Sequence, residues 1–142
     1  NFYTAFSLRG TSHLTELYFT NYAGYGTLAF NAGVPYGAFN TIGISPALDT
    51  AKHRLIVVFD GVDPQAASSY KVWLDGVAQT PASSGGGSRT SGQPSILGGD
   101  ETTSPTLLAP VKLGHPGLLG YALTGDATTG DVKRLIDYLA TV

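Results

Sequence analysis

His53-Arg54-Leu55-Ile56-Val57-Val58-Phe59-Asp60-Gly61 and the later Tyr70-Lys71-Val72-Trp73-Leu74-Asp75-Gly76 are the stretches on which the fold of this chain turns. Leu55 to Phe59 is an unbroken β-branched and aromatic run, the signature of a strand covered on both faces. The spacing predicts a strand over His53 to Asp60, closed by Asp60-Gly61. Tyr70 to Leu74 predicts its partner, with Val72 and Leu74 on one face and Lys71 and Trp73 on the other. Asp75-Gly76 is a strong tight-turn signal, because such turns need positive backbone φ angles that Gly accepts freely.

Upstream, the same period of two recurs. Phe2, Thr4, Phe6 and Leu8 alternate with Tyr3, Ala5 and Ser7, and Leu14 to Thr20 alternates again. Asn21 to Gly26 reads as a turn, Thr27 to Phe30 as a short strand, Gly33 to Tyr36 as a turn and Ala38 to Ile44 as a further strand. Downstream, Thr80 to Ser95 includes the run Ser83-Ser84-Gly85-Gly86-Gly87-Ser88, which has nothing to bury and predicts a long surface loop within one domain. Strands are expected over Ser95 to Gly98, Leu107 to Leu113 and Gly117 to Leu123. Only Asp131 to Thr141 has helical spacing, with Val132, Leu135, Ile136 and Leu139 on one stripe. Thr128, Thr129 and Asp131 stand where caps and N-terminal negative charge belong. Many strands and one helix predict an all-β, two-sheet antiparallel sandwich with a short C-terminal helix.

Composition narrows the function. The chain has 142 residues, 42% hydrophobic and 13% charged, with 19 Gly and 8 Pro, which suits one globular domain spanning 1–142. Net charge is −2, and the 8 Lys and Arg are scattered, so nucleic acid is not expected as a partner. No apolar stretch approaches the roughly 20 residues of a membrane-spanning helix, and no membrane partner is expected. There is no cysteine, hence no disulfide or thiolate chemistry. The chain starts inside an apolar alternation at Asn1-Phe2-Tyr3, so we expect a domain excised from a longer polypeptide that lacks an N-terminal strand.

These motifs, with Ile96-Leu97-Gly98-Gly99 and the closing Tyr121-Ala122-Leu123-Thr124 before a helix ending Tyr138-Leu139-Ala140, resemble laminin-G-like domains of the concanavalin A-like lectin/glucanase superfamily, of bacterial and phage type. The resemblance covers His53 to Val142 and implies jelly-roll connections. It also implies a non-catalytic recognition module of an extracellular or virion protein, such as a phage fibre or appendage. Enzymes on this architecture carry paired carboxylates, which retaining glycoside hydrolysis needs about 5 Å apart. Here Glu16 and Glu101 are the only Glu and lie on different segments, so no catalytic residue is assigned. His13, His53 and His115 are isolated, and His53 is expected to pack or hydrogen-bond at a strand start. The family resemblance admits a rim calcium site, for which Asp100 and Asp126 are the candidates, although no cofactor is required. Carbohydrate binding needs aromatics beside small polar groups. Tyr22 and Tyr25 with Asn21 form the first such cluster, and Tyr36 and Trp73 come next. The expected partner is a glycan or cell-surface polysaccharide; the alternative is a structural module touching neighbouring subunits of an assembly.

Overall fold

A computed structural model describes residues 2–22, 25–44, 51–89, 96–99, 117 and 119–142. The described residues are mostly antiparallel β structure in two sheets, with one helix. The large sheet contains β1 (Phe2–Arg9), β2 (His13–Tyr22), β3 (Tyr25–Pro35), β4 (Gly37–Ile44), β8 (Ala82–Arg89) and β9 (Ile96–Gly99). The small sheet contains β5 (Leu55–Phe59), β6 (Tyr70–Leu74) and β7 (Val77–Gln79). The large sheet has the order β8-β4-β3-β2-β1-β9 and the small one β5-β6-β7. The first four strands are therefore a meander. The chain then builds the small sheet and returns to add one strand to each edge of the large one.

The small sheet lies between two apolar layers, as the continuous run in β5 requires. Leu55, Val57 and Phe59 join Tyr70, Val72 and Leu74 against Leu28, Phe30, Ile42 and Ile44 of the large sheet. Ile56, Val58 and Trp73 face the other way, onto Val132, Leu135, Ile136 and Leu139 of α1 (Gly130–Ala140). The layers are thus large sheet, small sheet, helix. Tyr70 ties the first two together: its hydroxyl donates to Pro64 O at 2.8 Å and accepts from Ala32 N–H at 3.2 Å. Burial pushes the phenol up to about 12, partly opposed by the Ala32 hydrogen bond. The β6–β7 turn has Asp75 at φ 52° and Gly76 at φ 83°, as its Asp-Gly pair predicts.

Four expectations need correction. Residues 82–89 are not loop: β8 pairs with β4 from Gly43↔Ala82 to Gly37↔Arg89, because backbone hydrogen bonds need no side-chain pattern. Asn21 to Gly26 is not a turn at those bounds, since Asn21↔Gly26 and Tyr22↔Tyr25 remain paired and only residues 23 and 24 connect them. Gly33 to Tyr36 is not a turn either. β3 runs on to Pro35 through a bulge opposite Thr15, whose hydroxyl accepts from Gly33 N–H at 3.0 Å, and the chain turns at Tyr36. Residues 117 and 119–123 form no strand; the isolated bridge Gly125↔Gly130 follows them instead. The stretch expected as a strand over 107–113 lies outside the described residues.

The helix is where its stripe predicts, one residue earlier, but it is capped differently. Thr129 is the N-cap and makes no side-chain cap hydrogen bond. Thr124 O accepts from the N–H groups of Asp131 (2.9 Å) and Val132 (3.2 Å), satisfying donors that a helix start leaves open. No helix among the described residues is long and apolar enough to cross a membrane.

Candidate functional site

The predicted recognition residues separate into three places. Asn21 and Tyr22 end β2, Tyr25 begins β3, and Tyr22↔Tyr25 and Asn21↔Gly26 are register partners. The fold therefore sets the two tyrosines opposite one another at the hairpin end of the large sheet, while Asn21, one residue earlier, alternates to the other face. Tyr36 stands beyond the opposite end of β3, about 35 Å along the strand direction. There it packs beside Leu14 and Val34 and donates its hydroxyl to Gly10 O at 2.9 Å. It does not join the Tyr22–Tyr25 pair.

Trp73 is the main correction. Alternation along β6 puts it on the face away from Val72 and Leu74, as expected, but that face is covered by α1. Only 4% of Trp73 is exposed, and it packs in the cluster of Ile56, Val58 and Val132. A ring so enclosed offers no face for a sugar, so it is a core residue.

Of the two aspartates, Asp100 lies outside the described residues. Asp126 precedes α1 and is fully exposed. Its Oδ1 accepts from Thr128 N–H (2.7 Å), Thr128 Oγ1 (2.7 Å) and Thr129 N–H (3.1 Å). Those hydrogen bonds, led by the Thr128 hydroxyl, hold its carboxyl below the ordinary value. Nearby, Asp131 Oδ2 accepts from Thr124 Oγ1 at 2.5 Å and Thr124 N–H at 3.2 Å. Donors converge on both carboxylates, whereas calcium requires six to eight oxygen lone pairs aimed at one point. Both carboxylates stabilise the turn before α1, and no group of three metal-ligating side chains occurs among the described residues.

His53 Nδ1 lies 2.7 Å from Asp75 Oδ2; because a carboxylate only accepts, Nδ1 carries the proton. Asp75 Oδ1 accepts from Arg54 N–H at 2.8 Å. Arg54 Nε in turn donates to Leu139 O at 2.6 Å, and Lys52 Nζ donates to Val142 O. His53 thus hydrogen-bonds at a strand start, as expected, in a clamp joining β5, the β6–β7 turn and the end of α1. The adjoining recess, lined by Arg54, Ile56, Asp75, Ile136 and Leu139, holds about 80 Å³, well below the size of an ordinary ligand pocket.

Burial raises the Asp75 carboxyl, but hydrogen bonds from His53 and Arg54 and the charges of both outweigh it, and the net shift is downward. A folded value below the unfolded one (about 3.9) means this contribution is present above about pH 4 and disappears as pH falls through the folded value. Asp75→Ala is expected to cost about 1 kcal/mol at neutral pH. Asp75→Asn, which keeps one acceptor and tolerates the positive φ, costs less and shows a shallower acid loss. Urea melts from about pH 7 to about pH 3 measure both.

One group escaped the sequence reading. Ser7↔Glu16↔Asn31 is a row across β1, β2 and β3, and all three residues are buried. Asn31 Nδ2 donates to Glu16 Oε1 at 3.2 Å, and Arg9 Nε donates to Ser7 Oγ at 3.1 Å. The signal was available: Glu16 alternates in step with Leu14, which puts both on one face. The strands β1 to β4 contain no carboxylate besides Glu16, so a two-carboxylate pair is not built from them.

No family model, no curated protein and no solved structure matches this chain.

Proposed function

We propose that this chain is a non-catalytic recognition domain of the concanavalin A-like, laminin-G-like kind, with jelly-roll linkage, that binds glycan for a larger extracellular or virion protein. The observation that carries the reading is the β2–β3 register. It sets Tyr22 opposite Tyr25 at the end of a broad antiparallel sheet, with Asn21 one residue earlier in β2 on the alternate face. Aromatic rings supply large, rigid contact area, and an asparagine amide supplies both a donor and acceptors for hydroxyl groups.

A second reading, a module touching protein neighbours in an assembly, draws on exposed Leu119, Tyr121 and Tyr138 near and on α1. A glycan array, run with calcium and with a chelator, separates the two. On the first reading the folded protein binds a subset of glycans, and Tyr22→Ala or Tyr25→Ala weakens binding about tenfold, roughly 1.4 kcal/mol, without lowering the melting temperature. Loss with the chelator would bring in a cation. A silent array from folded protein would reject the glycan reading in favour of assembly contacts.

A further inference from the structure

Asp60-Gly61 and Asp75-Gly76 are both followed by Val and both preceded by the apolar end of a strand. Local sequence therefore gives the two pairs nearly the same intrinsic chemistry, but the fold holds their carboxylates differently. Asp75 is anchored by both oxygens: Oδ1 accepts from Arg54 N–H at 2.8 Å and Oδ2 from His53 Nδ1 at 2.7 Å. Asp60 is exposed, and its side-chain hydrogen bond among the described residues comes from Val62 N–H at 2.8 Å, two residues on in the same loop. Gly61 is exposed too, and no described atom lies within 4 Å of where its Cβ would stand.

An aspartyl side chain reacts with its own backbone when the next amide is within reach. The Gly nitrogen attacks Cγ, and the new N–Cγ bond closes a five-membered succinimide. The carboxyl hydroxyl oxygen departs as water, taking up the amide proton. Water then reopens the ring. Addition at the original backbone carbonyl breaks its bond to the Gly nitrogen and frees it as a carboxylate. The main chain now runs through Cβ and Cγ, as isoaspartate, and water is the only molecule released or consumed. The attack requires a side chain free to swing over the next amide and a next residue without a Cβ in the way.

We infer that Asp60-Gly61 is a site of spontaneous isoaspartate formation in the folded domain, and that the His53–Asp75–Arg54 clamp protects Asp75-Gly76. To reach Gly76 N, the Asp75 carboxylate must leave two charge-assisted hydrogen bonds and a tight turn that holds it at φ 52°. The consequence at residue 60 is structural. The loop it opens supplies Pro64 O to the Tyr70 hydroxyl and Gln65 Oε1 to Asn40 N–H, at 2.8 and 3.1 Å. An extra main-chain carbon there loosens the seam between the small sheet and β4. The inference is independent of glycan binding.

The test keeps the intact chain for weeks at body temperature in mildly acidic buffer, one sample native and one in concentrated guanidinium chloride. Asp-N protease, which cuts before aspartate but not before isoaspartate, and mass spectrometry then map both sites. In native protein, shown folded by circular dichroism, isoaspartate at 60 should exceed that at 75 about tenfold or more. In denaturant the two sites should convert within about twofold of each other, since neither retains its partners. Asp60→Glu, whose ring would need a sixth member, should remove the product at 60 and leave 75 unchanged. His53→Ala, which releases Asp75 Oδ2, should raise conversion at 75 several-fold. Equal native conversion at the two sites, or none at 60 in protein that converts when denatured, would overturn the site. A difference that persists in denaturant, or a His53→Ala protein still fully protected at 75, would overturn the clamp as its cause.

Discussion

Trp73→Ala is expected to lower the stability of this domain by about 3–5 kcal/mol, among the largest effects of any single truncation. The indole fills the layer between the small sheet and α1, in contact with the cluster of Ile56, Val58 and Val132. The Val132 side chain is itself fully enclosed. Truncation removes the transfer energy of a large aromatic and leaves a cavity that strand and helix can only partly close, because the Arg54–Leu139 hydrogen bond and the His53–Asp75 pair hold them in place. Trp73→Phe preserves much of the volume and should cost less than half as much. Chemical denaturation at neutral pH, with tryptophan-independent detection by circular dichroism, reads the difference. A folded Trp73→Ala protein of unchanged melting temperature would contradict the packing described and return the indole to the surface.

Gly125→Ala is the second large effect, expected at about 3 kcal/mol or more. Gly125 has φ 83°, where a Cβ costs about 1–2 kcal/mol by itself. The added carbon would also fall 2.2 Å from Thr129 O and 2.8 Å from Gly130 Cα. Both are backbone atoms, so no side chain can swing aside. The Gly125↔Gly130 bridge would have to open, and with it the Thr124 carbonyl that accepts the first helical N–H groups. Gly130→Ala meets Thr124 O at 2.7 Å and should behave similarly. By contrast Gly117→Ala, with no described atom within 4 Å of its Cβ, should change stability by less than about 0.5 kcal/mol. Thermal unfolding of the three variants side by side tests the ranking, and equal melting temperatures would refute it.

The two central strands were legible because their evidence is local. An unbroken apolar run specifies a strand buried on both sides, and Asp75-Gly76 specifies the turn that pairs it with its neighbour. The helix stripe was legible for the same reason, since Val132, Leu135, Ile136 and Leu139 need a partner surface whatever it is. The candidate site was half legible. Residue type singled out Asn21, Tyr22 and Tyr25, but as parts of a turn, and only the register showed them to be paired strand ends.

The misreadings share a physical origin. A Ser/Gly run such as 82–89 lacks a side-chain pattern, so its strand state comes from β4, whose backbone groups it satisfies. The aspartate that accepts hydrogen bonds before the helix, Asp126, and the carbonyl that caps it, Thr124 O, belong to a loop closed by a bridge between glycines.

By itself the sequence determined a chain of short strands with one amphipathic helix, no thiol chemistry and an uncharged, aromatic-rich surface vocabulary, because periodicity and residue type act over a few residues. The tertiary structure alone decided which strands share a sheet and which face of β6 is covered. Period two says that Trp73 and Val72 face opposite ways, but a face is core or surface only according to what packs on it. Here α1 covers the Trp73 face, while the β2–β3 register gathers Tyr22 and Tyr25, because long-range packing and hydrogen bonding are set by the whole chain.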